Sequence, residues 1–404
     1  MKPLNLSIFL PTLLFFFAVL SGLVIYRSAS FVQDKHFSLL ANSFIHKDLF
    51  LNPYGLPNGD YVDFHGRQYL YFGPMPSIIL IPFVLVSGKN FPQMTLSVTS
   101  LIFTFIGIFL LSRKFKFSKI NSFWLANFFV FGTVLYFVGL VNISAYVAQA
   151  VAVPFVIFAF LEYFGKRRWF LVGILVAAAG ATRITLFGSA SFFILEIIRQ
   201  KNLNWQKSIV YFLIPIIFCI SVLGYYNLRR FHSVFDTGYT RNITTLNKEG
   251  DNHAIGFFSI RHLPANLYAL LFMGPEPLKQ PNLYFVLRFP YLKANGDGLA
   301  IWYTSPLFIY LLFAKRKQFT LTIAAAIIVL LLPSILYSGI GTSQYGYRYS
   351  LDFIPLIFVI LIASFEGKLP KFAKVLIAYG IIFNCFYMLS IWNSYPLLSF
   401  WKYF

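Results

Sequence analysis

The chain has 404 residues, 58% of them hydrophobic and only 11% charged, with 33 Lys and Arg against 13 Asp and Glu and a formal net charge of +20. So few charges cannot cover a soluble globule of this size, which excludes an ordinary water-soluble domain and makes lipid the solvent for most of the surface. In such a chain basic residues report orientation and anionic headgroups, so no nucleic-acid partner is expected. The two cysteines, Cys219 and Cys385, lie inside apolar runs and imply neither a disulfide framework nor a zinc site.

In chain order, apolar windows near the length that crosses a hydrocarbon core fall at roughly 6 to 26, 93 to 112, 120 to 141, 146 to 164 and 208 to 226, then at roughly 299 to 314, 318 to 338, 351 to 366 and 374 to 392. The run 169 to 198 is too long for one helix and is broken by Arg183, so it reads as two helices meeting near "GATRIT". The first window could be a signal peptide cleaved near "SAS" at 28 to 30, but it is long for that purpose and only Lys2 precedes it. It is therefore taken as a retained span.

Five basic clusters, at 113 to 119, 165 to 168, 199 to 207, 314 to 317 and 366 to 374, belong together on the cytoplasmic side. They share one side only if "PMPSIILIPFVLVSG" (74 to 88) does not cross, and its early prolines and short length predict an interfacial or re-entrant helix. The expectation is one domain over residues 1 to 404, an all-α polytopic membrane protein. It would have about eleven transmembrane helices, the N-terminus inside, the C-terminus outside, and two large outer loops at about 27 to 92 and 227 to 298 that carry interfacial helices. All six histidines and nine of the thirteen acids fall in or beside those loops. Titratable chemistry is gathered on one face.

The first loop holds Asp34 just past the first span, with Lys35 and His36 beside it. Phe37, Leu40 and Phe44 recur at helical spacing, so an amphipathic helix starts there. Asp34 suits either a helix N-cap or a general base. Further on, "DYVDFHGRQYLYFGPMPS" (60 to 77) packs Asp60, Asp63, Arg67 and Tyr69 into a few residues. The plain reading of Asp60 and Asp63 is the "LPNGDY" turn, and Arg67 can pair with Asp63 at i,i+4.

The order of an acid after the first span, "FSLLANSFIHKDLFL", and "HGRQYLYFGPMPSIILIPFVLVSG" resembles the first outer loop of GT-C fold glycosyltransferases, relatives of protein O-mannosyltransferases and aminoarabinose transferases. "GILVAAAGATRIT", "YYNLRRFHSVFDTGY" and "QYGYRYSLDFIPLIFVIL" resemble later segments of that family in the same order. The resemblance implies an enzyme, a glycosyltransferase moving a hexose or pentose from a polyprenyl-phosphate carrier to a hydroxyl of a lipid, glycan or protein acceptor on the outer face. A carboxylate would be the base: Asp34 first, with Asp60 or Asp63 as its replacements because "QDK" holds one acid where many members hold two. Arg183 and Arg348 would hold the phosphate, with Lys35, His36, Arg67, Tyr69, Arg230, Tyr345, Tyr347 and Asp352 lining the substrate, and Asp352 orienting Arg348 at i,i+4.

Asp251, His253, His262 and Glu276 are too scattered to predict a metal site, so no cofactor is expected, with a divalent metal left open. The implied home is the plasma membrane of a bacterium or archaeon. A transporter or lipid-glycan flippase is the rival class, but it needs midspan ionisable groups and often repeated halves. A polysaccharide polymerase or ligase would use the same outer-face arginines and base.

Overall fold

The computed structural model describes residues 6–28, 34–52, 60–200, 204–239, 241, 255–280, 286–293, 295–341 and 344–393. Most of the "SAS" stretch, the "LPNG" part of the predicted turn, Asp251, Asn252, His253 and residues 394 to 404 lie outside them. The chain is mostly helical, and among the described residues five helices are long and apolar enough to cross a membrane.

The first part of the chain runs α1 (Leu6–Ser28), α2 (His36–Ile45), the antiparallel hairpin β1 (Tyr61–Phe64) and β2 (Arg67–Leu70), α3 (Met75–Ser87), α4 (Met94–Lys114), α5 (Lys119–Phe131), α6 (Leu135–Leu140) and α7 (Ser144–Tyr163). The second part runs α8 (Trp169–Thr182), α9 (Ala190–Gln200), α10 (Trp205–Phe231), α11 (Leu263–Leu271), the hairpin β3 (Glu276–Lys279) and β4 (Leu287–Lys293), α12 (Ile301–Thr304), α13 (Thr320–Ile335), α14 (Ile354–Ser364) and α15 (Lys371–Asn393). Short 3-10 turns at Ile184–Ser189, Pro306–Phe313 and Arg348–Asp352 join several of these pieces.

Helix α7 is the centre, with 78% of its apolar window buried in the protein, whereas α10 is just as apolar and only 17% buried. A helix that apolar and that exposed needs lipid as its neighbour. Two predicted windows are interrupted rather than continuous. The stretch 120 to 141 divides into α5 and α6, and 299 to 314 into α12 and a 3-10 turn. The carbonyls loosened at these breaks need donors away from water. Buried Asn384 of α15 supplies them, donating to the carbonyls of Phe131 (3.1 Å), Thr133 (3.4 Å) and Thr304 (3.0 Å) while its Oδ1 accepts from the Tyr345 hydroxyl at 2.7 Å.

The basic clusters meet at one end. The rings of Phe115, Phe164 and Phe319 pack mutually at 4.8, 5.3 and 6.5 Å, which joins the ends of α4 and α7 to the start of α13. Glu366 holds Lys315 and Lys317 at 3.0 and 2.6 Å, and Glu196 of α9 accepts from Tyr163, Arg199, Gln200 and Thr322.

Helix α3 begins and ends at the opposite end. Its 13 residues are about 20 Å long, short of a hydrocarbon core. Gly73, just before it, lies so close to α8 that a Cβ there would sit 2.0 Å from the Ala181 carbonyl oxygen. Just after it, the Phe91 carbonyl accepts from Ser38 (2.7 Å) and Gln93 Oε1 from the Phe37 N–H (2.9 Å), both residues of α2. Pro74 and Pro76 suit its first turn, and Gly88 at φ 79° stops it.

Candidate functional site

The N-terminus of α7 gathers the acids. Its first residue, Ser144, donates its backbone N–H to Asp34 Oδ2 at 2.9 Å, and Ala145 N–H points to Asp60 Oδ2 at 3.4 Å. The first N–H groups of a helix have no partner within it and carry its positive end, so carboxylates are well placed there. Asp34 does not cap α2, whose N-cap is Lys35 without a side-chain cap bond. Of the two readings of Asp34, the cap of α2 is therefore not met: its carboxylate accepts from a helix that starts 110 residues later.

His36 sits against both acids. Its Nδ1 lies 2.8 Å from Ser144 Oγ and 3.7 Å from Asp34 Oδ2, and Gln93 Nε2 donates to the same hydroxyl at 3.2 Å. Tyr71 donates its phenol to Asp60 Oδ1 at 2.9 Å. Burial, with the neighbouring Asp34 charge adding to it, holds the Asp60 carboxyl above its ordinary range, while His36 and Tyr71 pull it back. Burial lowers the His36 imidazole, against the pull of Asp34 and Asp60. One ligand atom each from Asp34, His36 and Asp60 lies within 4.8 Å of the others, a donor set that a divalent cation can take. Spacing in the sequence did not show that grouping, because it forms only when the hairpin packs against α2 and α7.

The cation of the site is Arg348. Its guanidinium lies over the rings of Tyr349 (4.6 Å) and Tyr146 (5.1 Å), with Nη2 3.3 Å from the Tyr349 hydroxyl and Nη1 3.4 Å from Gln149 Oε1. Its Nε is buried without a hydrogen-bond partner, and no described carboxylate lies within ion-pair distance. Asp60 is among the charges that act on it.

Arg183 is the opposite case. It grips Asp352 with a two-pronged fork, Nε and Nη2 each 2.9 Å from a carboxylate oxygen, and Thr185 adds a third donor at 2.7 Å. Asp352 therefore orients Arg183 rather than Arg348, which corrects the i,i+4 expectation. The segment is a 3-10 turn with three residues per turn, so residues four apart do not share a face.

The other expected residues scatter. Asp63 alternates with buried Val62 along β1 and points outward, opposite Gln68, so it is not paired with Arg67. Arg67 instead stacks on Phe50 at 4.6 Å. Tyr69 is buried between Phe50 and Phe231, and Lys35 turns away to Asn90 at 3.3 Å. Arg230 is buried and clamps the first loop, donating to the Leu70 carbonyl (2.6 Å) and to Asn227 (2.8 Å) over the Tyr226 ring. Tyr345 and Tyr347 are core residues bonded to Asn384 and Asn266. His262 bonds the Gly256 carbonyl and Glu276 pairs with Lys293, so neither joins the acid cluster.

Sequence reasoning did not single out Gln93, Ser144, Tyr146, Tyr239 or Tyr337, although Tyr239 closes the quoted segment "YYNLRRFHSVFDTGY"; Tyr71 lies in the polar stretch that begins at Asp60, and Tyr349 stands with Tyr345 and Tyr347 around Arg348. Below the acids, an apolar cavity of about 450 Å³ opens between α3, α4, α7 and α8, lined by residues such as Phe83, Phe91, Phe103, Val151 and Phe155. Val151 is seven residues from Ser144, about 10 Å along the axis of α7. No family model, curated protein or solved structure matches the chain.

Proposed function

We propose that this protein is a membrane glycosyltransferase of the GT-C kind, moving a sugar from a polyprenyl-phosphate carrier to an acceptor hydroxyl on the non-cytoplasmic face. One observation carries the reading: buried Asp34, half-buried Asp60 and half-buried Arg348, which has no described carboxylate within ion-pair distance, lie at the same end of one helical bundle. That is the charge arrangement a group transfer from phosphate requires. The Asp34–Asp60 pair takes the proton of the acceptor hydroxyl as its oxygen bonds to the anomeric carbon. The bond from that carbon to the phosphate oxygen breaks, and its electron pair leaves with the phosphate, whose charge the Arg348 fork stabilises. The raised Asp60 carboxyl brings the pair's basicity closer to neutrality.

The apolar cavity beside α7 suits the isoprenoid chain of such a carrier, since its volume falls in the range of ligand pockets and its wall offers hydrocarbon. Eleven crossings with a cytoplasmic N-terminus are part of the proposal, in the plasma membrane of a bacterium or archaeon. The gathering of the basic clusters at one end, and the return of α3 to the end where it began, support that topology. In the fold's terms Arg183 is a brace, holding through Asp352 the turn that presents Arg348.

The test is reconstitution in nanodiscs with polyprenyl-phosphate hexoses and pentoses and extracted envelope acceptors, reading release of polyprenyl phosphate. Release by the wild type but not by Asp60→Asn supports the proposal. Absence of release and of binding for every donor sinks it.

A further inference from the structure

The segment after α10 is shaped to deliver one side chain. α10 ends at His232 in a left-handed conformation (φ 59°), and the chain then turns so that Asp236 accepts from the Gly238 N–H (2.8 Å) and from Arg241 Nε (2.6 Å). Arg241 stacks on Phe64 of β1 at 4.4 Å, which fixes the turn to the first loop. Gly238 has φ 84°, and a Cβ there would lie 2.6 Å from Phe231, so neither the turn nor its position tolerates a larger residue.

The residue presented is Tyr239. Its ring lies 5.3 Å from that of Tyr71 and 6.1 Å from that of Tyr337. Tyr71 is bonded to Asp60, and Tyr337 is 6.1 Å from Tyr349, whose hydroxyl is at Arg348. A chain of phenols thus runs from the acid half of the site to the cation half, and Tyr239 is the link between them. An interfacial belt would turn these rings to lipid, whereas here they turn to each other.

We propose that Tyr71, Tyr239 and Tyr337 form the subsite for the transferred sugar ring, with Tyr239 the specificity-determining residue. The inference rests on the transferase reading, because in that reaction the sugar must lie between the base and the phosphate. A pyranose is neutral, with C–H faces that pack on aromatic rings and hydroxyls that pair with phenols. Tyrosine supplies both surfaces from one side chain. The second outer loop, through Tyr239, then chooses the sugar, while Arg348 holds a phosphate common to all donors.

The experiment measures affinities of the full-length protein in nanodiscs for bare polyprenyl phosphate and for polyprenyl-phosphate glucose, mannose, galactose and arabinose. Wild type, Tyr239→Ala and Tyr239→Phe are compared. The subsite predicts at least one sugar-bearing lipid bound more tightly than the bare lipid. It also predicts that Tyr239→Ala weakens that lipid about tenfold and leaves the bare lipid unchanged, with Tyr239→Phe recovering most of the loss. Equal weakening of both lipids, or no weakening, overturns the subsite while leaving the transferase reading standing. No binding of any of these lipids by wild type overturns both.

Discussion

Both ends of this helical bundle carry acids, and they treat them differently. At the basic end each acid is neutralised where it stands: Glu196 by Arg199 with Tyr163, Gln200 and Thr322 around it, Glu366 by two lysines, Glu162 by Arg168 at 2.9 Å. At the other end Asp34 and Asp60 rest on backbone N–H groups of α7, and Arg348 rests on tyrosine faces and Gln149. Opposite charges there are kept near one another without being joined. A closed ion pair holds helices together and does little else, whereas separated buried charges cost stability and persist where something else meets them.

The contrast can be broken most forcefully at the acids. Asp60→Asn should reduce turnover about 100- to 10,000-fold with donor affinity kept, read by single-turnover release of polyprenyl phosphate. Normal turnover would make Asp60 a turn residue and nothing more. A smaller effect separates the two arginines. Arg348→Lys removes the fork and should weaken binding of polyprenyl phosphate by about 10- to 100-fold, with the thermal midpoint nearly unchanged. Arg183→Lys should do the reverse, costing about 2 kcal/mol of stability while donor affinity stays within about threefold of wild type by the same measure. If Arg183→Lys weakens the donor as much as Arg348→Lys, the brace reading is wrong.

At the far end, Glu196→Gln should lower stability by about 2 kcal/mol and leave turnover at permissive temperature intact. Loss of turnover in a folded Glu196→Gln protein would mean that the two ends are not separate in role. The finest test is pH. The base must be ionised, and Asp60 is held above its usual range, so kcat/KM should fall as pH drops through a value higher than an ordinary carboxyl group shows. An acid limb at the ordinary position would mean that the buried Asp60 carboxyl beside Asp34 is not the base.

How much of this was legible before the fold is clearest residue by residue. Hydrophobic runs placed the long helices, because a span's length is fixed by the bilayer, and the break at Arg183 appears where the backbone turns extended (φ −139°, ψ 115°). Continuity was not legible. The breaks at 132 to 134 and near 305 survive because Asn384, far along the chain, caps the loosened carbonyls. The first loop's acids could be singled out as unusual. Their meeting could not be foreseen, since Asp34 and Asp60 are joined through Ser144 and Ala145 by tertiary packing alone.

Two local rules misled for identifiable reasons. The i,i+4 pairing of Arg348 with Asp352 assumed an α-helix where a 3-10 turn forms, and that of Asp63 with Arg67 assumed a helix where a hairpin puts Gln68 opposite Asp63. Tyr345 and Tyr347 were expected to line the substrate beside Arg348. The turn after Tyr347 sends only Tyr349 to the site and leaves the other two in the core.

The central claim is that Asp34 and Asp60 act as one base, and a double-mutant cycle on single-turnover sugar transfer tests it most directly. Groups that act as a unit are not additive, so Asp34→Asn, Asp60→Asn and the double variant should each lose turnover to about the same level, with polyprenyl-phosphate affinity kept in all three. A double variant whose loss is the product of the two single losses, or either single variant working at the wild-type rate, would contradict the account.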